Sequence, residues 1–215
     1  MIIHLTEGGK PKTNYDAKYA ARVGQEGKGS GGYDRSLALS KSIAESEYSK
    51  DTIESNEHTT VVTPDGKIIF RSNQEEGHPD MPYTYVSQEE AEGRQLEGNY
   101  SFHNHPTGIP PHNDDLAWCS KYKARGMVVV GNSKVEDGNK YIYTILPPEG
   151  MSTFNEKFFN ETIAPAYLKA WERLYRKLPK KIKAKDVDSY YGPIRDDAWL
   201  ETAKQTGIRY YKQKW

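Results

Sequence analysis

Hydrophobic positions along this chain come in short bursts separated by long polar stretches. In YDRSLALSKSIAESEYS, residues 33 to 49, Leu37, Ala38, Ile43 and Ala44 share roughly one helical face. Asp34 is available as N-cap, so a helix is predicted there. In HTTVVTPDGKIIFRS, residues 58 to 72, β-branched runs flank Pro64-Asp65-Gly66. Proline presets φ and glycine accepts a positive value, which predicts a β-hairpin. A short helix is expected in SQEEAEGRQL, 87 to 96, capped by Ser87 with Glu90 three residues on. Asn99 to His105 should be a strand, with Tyr100 and Phe102 alternating against Ser101 and His103. DLAWCSKYKAR then reads as a helix from about Asp115. GMVVVG, 126 to 131, reads as a buried strand, and a second hairpin runs through VEDGNK to the strand YIYTIL.

Beyond Pro147-Pro148 the period becomes helical. Thr153 and Glu156 form a capping box before Phe159, Ile163, Tyr167, Trp171, Leu174 and Leu178, and Pro165 should kink or split the segment. RKLPKKIKAK, 176 to 185, reads as a basic linker, followed by a short helix near DDAWLETAKQ. The order of elements predicts an α/β fold, a mixed β-sheet flanked by helices. Three regions are expected: a polar, glycine-rich, flexible or partner-ordered arm at 1–32, a compact unit at 33–148 whose sheet is complete by Leu146, and a helical, basic C-terminal extension at 149–215.

Composition adds limits. The chain has 215 residues, enough for one domain with extensions, and only 35% are apolar, so the core should be modest. Thirty basic side chains balance thirty acidic ones, but residues 51 to 116 carry a net −10 and residues 151 to 215 a net +6. The single cysteine, Cys119, rules out an intramolecular disulfide and reads as a packing residue. MIIHLTEGGK turns polar after five residues, and no apolar run approaches the ~20 residues of a membrane span. The reading is of a soluble protein, cytoplasmic or delivered by a signal-independent route, with no membrane partner.

The candidate chemistry lies in SFHNHPTGIPPHNDDL, 101 to 116, which holds three of the six histidines. Alternate strand residues point to one side, so His103 and His105 can converge, and a carboxylate from the start of the next helix would complete an N,N,O set suited to Zn²⁺. Asp115 is placed to supply it, with Asp114 as the alternative that helix phase decides. Three protein ligands leave a fourth position for water, which is the catalytic rather than the structural pattern.

His103-Asn104-His105-Pro106, followed by Thr107-Gly108, Pro110-Pro111 and Asp115-Leu116 opening a helix, resembles the JAMM (MPN+) zinc metalloproteases, particularly their bacterial and phage members. The resemblance covers about 33–148. It implies a JAMM-like, cytidine-deaminase-like sheet and hydrolysis of amide bonds by a peptidase or isopeptidase. It also implies a protein or peptide substrate, with ubiquitin-like conjugates among the candidates, and a toxin, effector or phage setting among the family's contexts. By this match His103, His105 and Asp115 are the zinc ligands. Glu57 is the general base, with Glu54 as runner-up. The chain departs from the family where a serine stands three residues before the aspartate: that position is His112, and the interval from His105 to Asp115 is one residue shorter. The serine's oxyanion contact, worth roughly 3 kcal/mol in other hydrolases, would fall to His112, Asn113 or Thr107.

Plainer readings stand beside these. His58 should be an ordinary sheet residue, and His4 and His78 loop residues. The run at 176–185 is either a solvated linker or a contact for nucleic acid. A binding or structural protein that keeps the fold without efficient proteolysis is the second functional class, favoured by the missing serine and the basic tail. A metal-dependent nuclease is the third and lacks support from the HxHP context.

Overall fold

The computed structural model describes residues 33–48, 57–72, 93, 95–131, 139–179 and 187–214. The arm at 1–32, Glu54, His4, His78, the Ser87 and Glu90 cap, most of the VEDGNK turn and residues 180–185 of the basic run lie outside them. The elements are α1 (Tyr33–Glu47), β1 (Thr59–Val62), β2 (Ile68–Arg71), β3 (Tyr100–His105), α2 (Asn113–Lys121), β4 (Gly126–Gly131) and β5 (Tyr141–Leu146). Then come α3 (Glu156–Phe158), a π-helical turn (Phe159–Ile163), α4 (Ala164–Tyr175), α5 (Val187–Thr206) and β6 (Arg209–Lys214).

The molecule is mixed α/β, with a six-stranded open sheet in the order β2-β1-β3-β4-β5-β6. Only β3 and β4 run parallel, so they need a crossover, and α2 supplies it. The β1–β2 hairpin turns at Gly66, whose φ of 92° is the left-handed value that glycine tolerates. Central strand β4 is buried on both faces, as its unbroken β-branched run requires.

Each strand alternates between two hydrophobic layers. Val62, Tyr100, Phe102, Val128, Val130 and Ile142 pack beneath α1, which contributes Ile43 and Ala44, with Tyr48 just beyond it. Val61, Met127, Val129, Tyr143 and Ile145 pack beneath Leu116 and Cys119 of α2 and the C-terminal helices. The expected face of α1 is shifted. Ala38 is exposed, while Ser36 and Ser40 are buried. Ser36 Oγ lies 2.9 Å from the Tyr100 hydroxyl and Ser40 Oγ donates to the Ser36 carbonyl, so polar partners replace apolar contact on that face. Asp34 falls inside the first turn rather than before it.

The sheet does not end at Leu146. β6 pairs antiparallel with β5 from Tyr141↔Lys214 to Leu146↔Arg209, and Tyr210 and Tyr211 enter the two opposite layers. α5 is a 20-residue helix carrying fully buried Trp199 and Ala198, not a short one. A boundary at 148 therefore separates β5 from its hydrogen-bonded neighbour. The reason is energetic: without β6, α4 and α5, one face of the sheet would present Val129, Tyr143 and Ile145 to water.

Two local expectations also change. α3 is capped by Asn155, whose side chain accepts from the Phe158 N–H at 2.8 Å, and not by Thr153. Pro165 lies in the first turn of α4, where its missing N–H costs little, and the π-helical turn just before it absorbs the change of register.

Candidate metal centre

β3 delivers both histidines to the layer beneath the C-terminal helices, because they alternate with Phe102 and Asn104 on the opposite side. Their Nε2 atoms are 3.3 Å apart. Asp115 Oδ2 lies 3.6 Å from His103 Nε2 and 3.5 Å from His105 Nε2. His103, His105 and Asp115 thus form a group that could hold a metal ion. Two ligands about 2.0–2.1 Å from a tetrahedral ion stand about 3.3–3.4 Å apart, so this triangle is close to one face of such a site.

The surrounding contacts fix the ligand atoms. His105 Nδ1 lies 3.0 Å from the Ile109 carbonyl, which can only accept, so the neutral ring carries its proton on Nδ1 and leaves the Nε2 lone pair toward the cluster. Asp115 is oriented by accepting the His112 backbone N–H at 2.6 Å. That bond also caps α2, which explains why the helix begins at Asn113, two residues before the expected start. Asp114, the alternative ligand, is exposed.

Burial pushes the Asp115 carboxyl up, but His103 and His105, through charge and hydrogen bonds, outweigh it and hold the group well below the usual carboxylate range. Glu57 stands just before β1 with Oε1 3.9 Å from His105 Nε2. Burial raises its pKa, against the lowering pull of both histidines and with the help of Asp115. A carboxylate at the rim with a raised pKa has the character of a proton acceptor that can also give the proton back.

The loop between β3 and α2 is tied at three points. Pro106 and Thr107 occupy a turn closed by the Gly108 N–H donating to the His105 carbonyl, 2.9 Å. The Tyr143 hydroxyl donates to the Gly108 carbonyl, 3.1 Å, and Trp199 Nε1–H donates to the Pro111 carbonyl, 2.8 Å.

His112 packs edge-on to His105, with ring centroids 5.3 Å apart. Burial first, and the Arg195 cation second, lower its pKa to about 4, so it is neutral at physiological pH. Thr107 is exposed, and Asn113 Oδ1 is buried without a hydrogen-bond partner. His58 is buried with Nδ1 3.1 Å from Ser72 Oγ, away from the cluster.

Three neighbours of the site come from sequence far away and were not anticipated: Tyr167, Arg195 and Trp199. An arginine inside the helical run IRDDAWL was the available signal for one of them. Searches against protein-family models, curated proteins and solved structures found no match to this chain. Among the described residues, no helix is long and apolar enough to cross a membrane.

Proposed function

We propose that the chain is a zinc-dependent hydrolase of amide bonds, a peptidase or isopeptidase of the JAMM type. The observation that carries this reading is the triangle of His103 Nε2, His105 Nε2 and Asp115 Oδ2 with Glu57 at its edge. Two imidazole nitrogens and one carboxylate oxygen are a borderline-soft set that favours zinc over calcium or magnesium, and among the described residues no fourth side chain joins the group, which suits catalysis. Bound zinc supplies Lewis acidity, lowering the pKa of a coordinated water toward about 7 and polarising a carbonyl.

The chain's own residues do the rest. Asp115 is kept negatively charged by the histidine pair and oriented by the His112 N–H. His105 is held in the required tautomer by Ile109. Glu57 takes the proton of the attacking water and returns it to the departing amine. The substrates in view are proteins and peptides, ubiquitin-like conjugates included. The test is cleavage by the zinc-loaded protein of ubiquitin-like conjugates, generic peptides and peptidoglycan fragments, with a chelator control. Chelator-sensitive hydrolysis of one class supports the reading, and no cleavage across all three overturns it in favour of a binding protein.

A further inference from the structure

Arg195 is 8% exposed, yet no carboxylate pairs with it among the described residues. Its Nη1 lies 3.2 Å from His112 Nε2, and the guanidinium lies 5.8 Å from the centre of the Trp171 ring. The Tyr167 hydroxyl is a further polar partner among the described residues. Of the nearby acids, Asp196 is directed to Lys212 and Tyr210, and Asp115 to the histidine pair. A buried cation without an anion is costly, and a guanidinium offers five N–H donors in a planar fork, of which these contacts use only part. It stands one imidazole away from the candidate metal centre, since the ring of His112 separates it from the ring of His105.

We propose that Arg195 is a specificity-determining residue that receives a carboxylate of the substrate. The site would then select peptides with a carboxylate near the bond to be cut, either the C-terminal carboxylate or an acidic side chain. The fork of Arg195 matches the two oxygens of such a group, with Trp171 and His112 holding the guanidinium plane. This inference rests on the amide-hydrolase reading for its peptide ligand, but its own evidence is a buried cation with no carboxylate partner among the described residues.

The test is calorimetric titration of the zinc-treated full chain at low ionic strength with three probes. Acetyl-Ala-Ala carries a C-terminal carboxylate, acetyl-Asp-Ala-amide carries only a side-chain carboxylate, and acetyl-Ala-Ala-amide carries neither. One of the two acidic probes should bind about tenfold tighter than the neutral one, and which one identifies the source. Arg195→Gln should shrink that preference to within about twofold, and Arg195→Lys should reduce it at least about threefold, because an ammonium cannot make two parallel bonds. If Arg195→Gln fails to fold, the wild-type comparison and Arg195→Lys still decide. Equal binding of the three probes by wild type, or undiminished preference in the lysine variant, overturns the proposal. Zinc content and hydrolysis measured on the same preparation separate the two readings. Zinc and cleavage without carboxylate preference sink only the role of Arg195, whereas preference without cleavage sinks only the hydrolase.

Discussion

Trp199→Phe tests whether the C-terminal helix holds the loop of the candidate metal centre in place. Trp199 is fully buried, packs on Tyr167 with ring centroids 4.4 Å apart, and donates its indole N–H to the Pro111 carbonyl at 2.8 Å across 88 residues of sequence. Phenylalanine keeps most of the ring contact but removes the donor, leaving the carbonyl of buried Pro111 unsatisfied at a cost of about 1–3 kcal/mol. The smaller ring leaves a void of roughly 40 Å³, which at about 24 cal/mol per Å³ adds close to 1 kcal/mol. A total of about 2–4 kcal/mol lowers the thermal midpoint of a chain this size by roughly 5–15 °C. Pro111 directly precedes His112, whose N–H orients Asp115, so zinc affinity should also weaken by about tenfold. Differential scanning calorimetry and competitive zinc titration read the two effects. A midpoint and zinc affinity both equal to wild type would refute the claim that α5 tethers this loop.

Further outcomes follow from the same geometry. His103→Ala and His105→Ala should each lose bound zinc while retaining a cooperative unfolding transition, measured by elemental analysis and circular dichroism. Glu57→Gln should keep its zinc and lose about 10²-fold or more in hydrolysis, because the amide cannot accept a proton. Truncation after Gly150 removes β6 and the helices over the Val129 face, and should abolish the cooperative transition altogether. His58 has its pKa lowered, first by burial, so below about pH 6.5 the unfolded chain takes up a proton that the folded chain refuses. Stability should therefore fall as pH drops from about 6.5 toward the folded value, and His58→Gln should flatten that slope in denaturant titrations at stepped pH.

Much of the site was legible because it is local. Strand alternation alone puts His103 and His105 on one side, and Asp115 lies only ten residues beyond His105, one short crossover away. The hairpin at Gly66 and the buried strand β4 were equally local, resting on turn chemistry and on a glycine-bounded apolar run. What escaped is non-local. RYYKQK has two adjacent tyrosines serving opposite faces between basic residues, which lacks the alternation of a half-buried strand, so β6 becomes visible only through its pairing with β5. Gly192 and Pro193 lie inside α5, so its sequence suggested a shorter element. Ser36 and Ser40 are buried because Tyr100 and a backbone carbonyl satisfy them, which helical periodicity of apolar residues cannot register. Arg195 reaches His112 across 83 residues, a contact created by the packing of α5 on the sheet rather than by any motif.

The central claim is that His103, His105 and Asp115 hold one zinc ion. Zinc X-ray absorption on the full chain loaded with one equivalent addresses it most directly. The account predicts two imidazole nitrogens and oxygen ligands at about 2.0–2.1 Å with no sulfur, and loss of the imidazole signal when His103 and His105 are both replaced by alanine. A spectrum of the hydrated ion, a sulfur ligand from Cys119, or an unchanged spectrum in the double variant would contradict it.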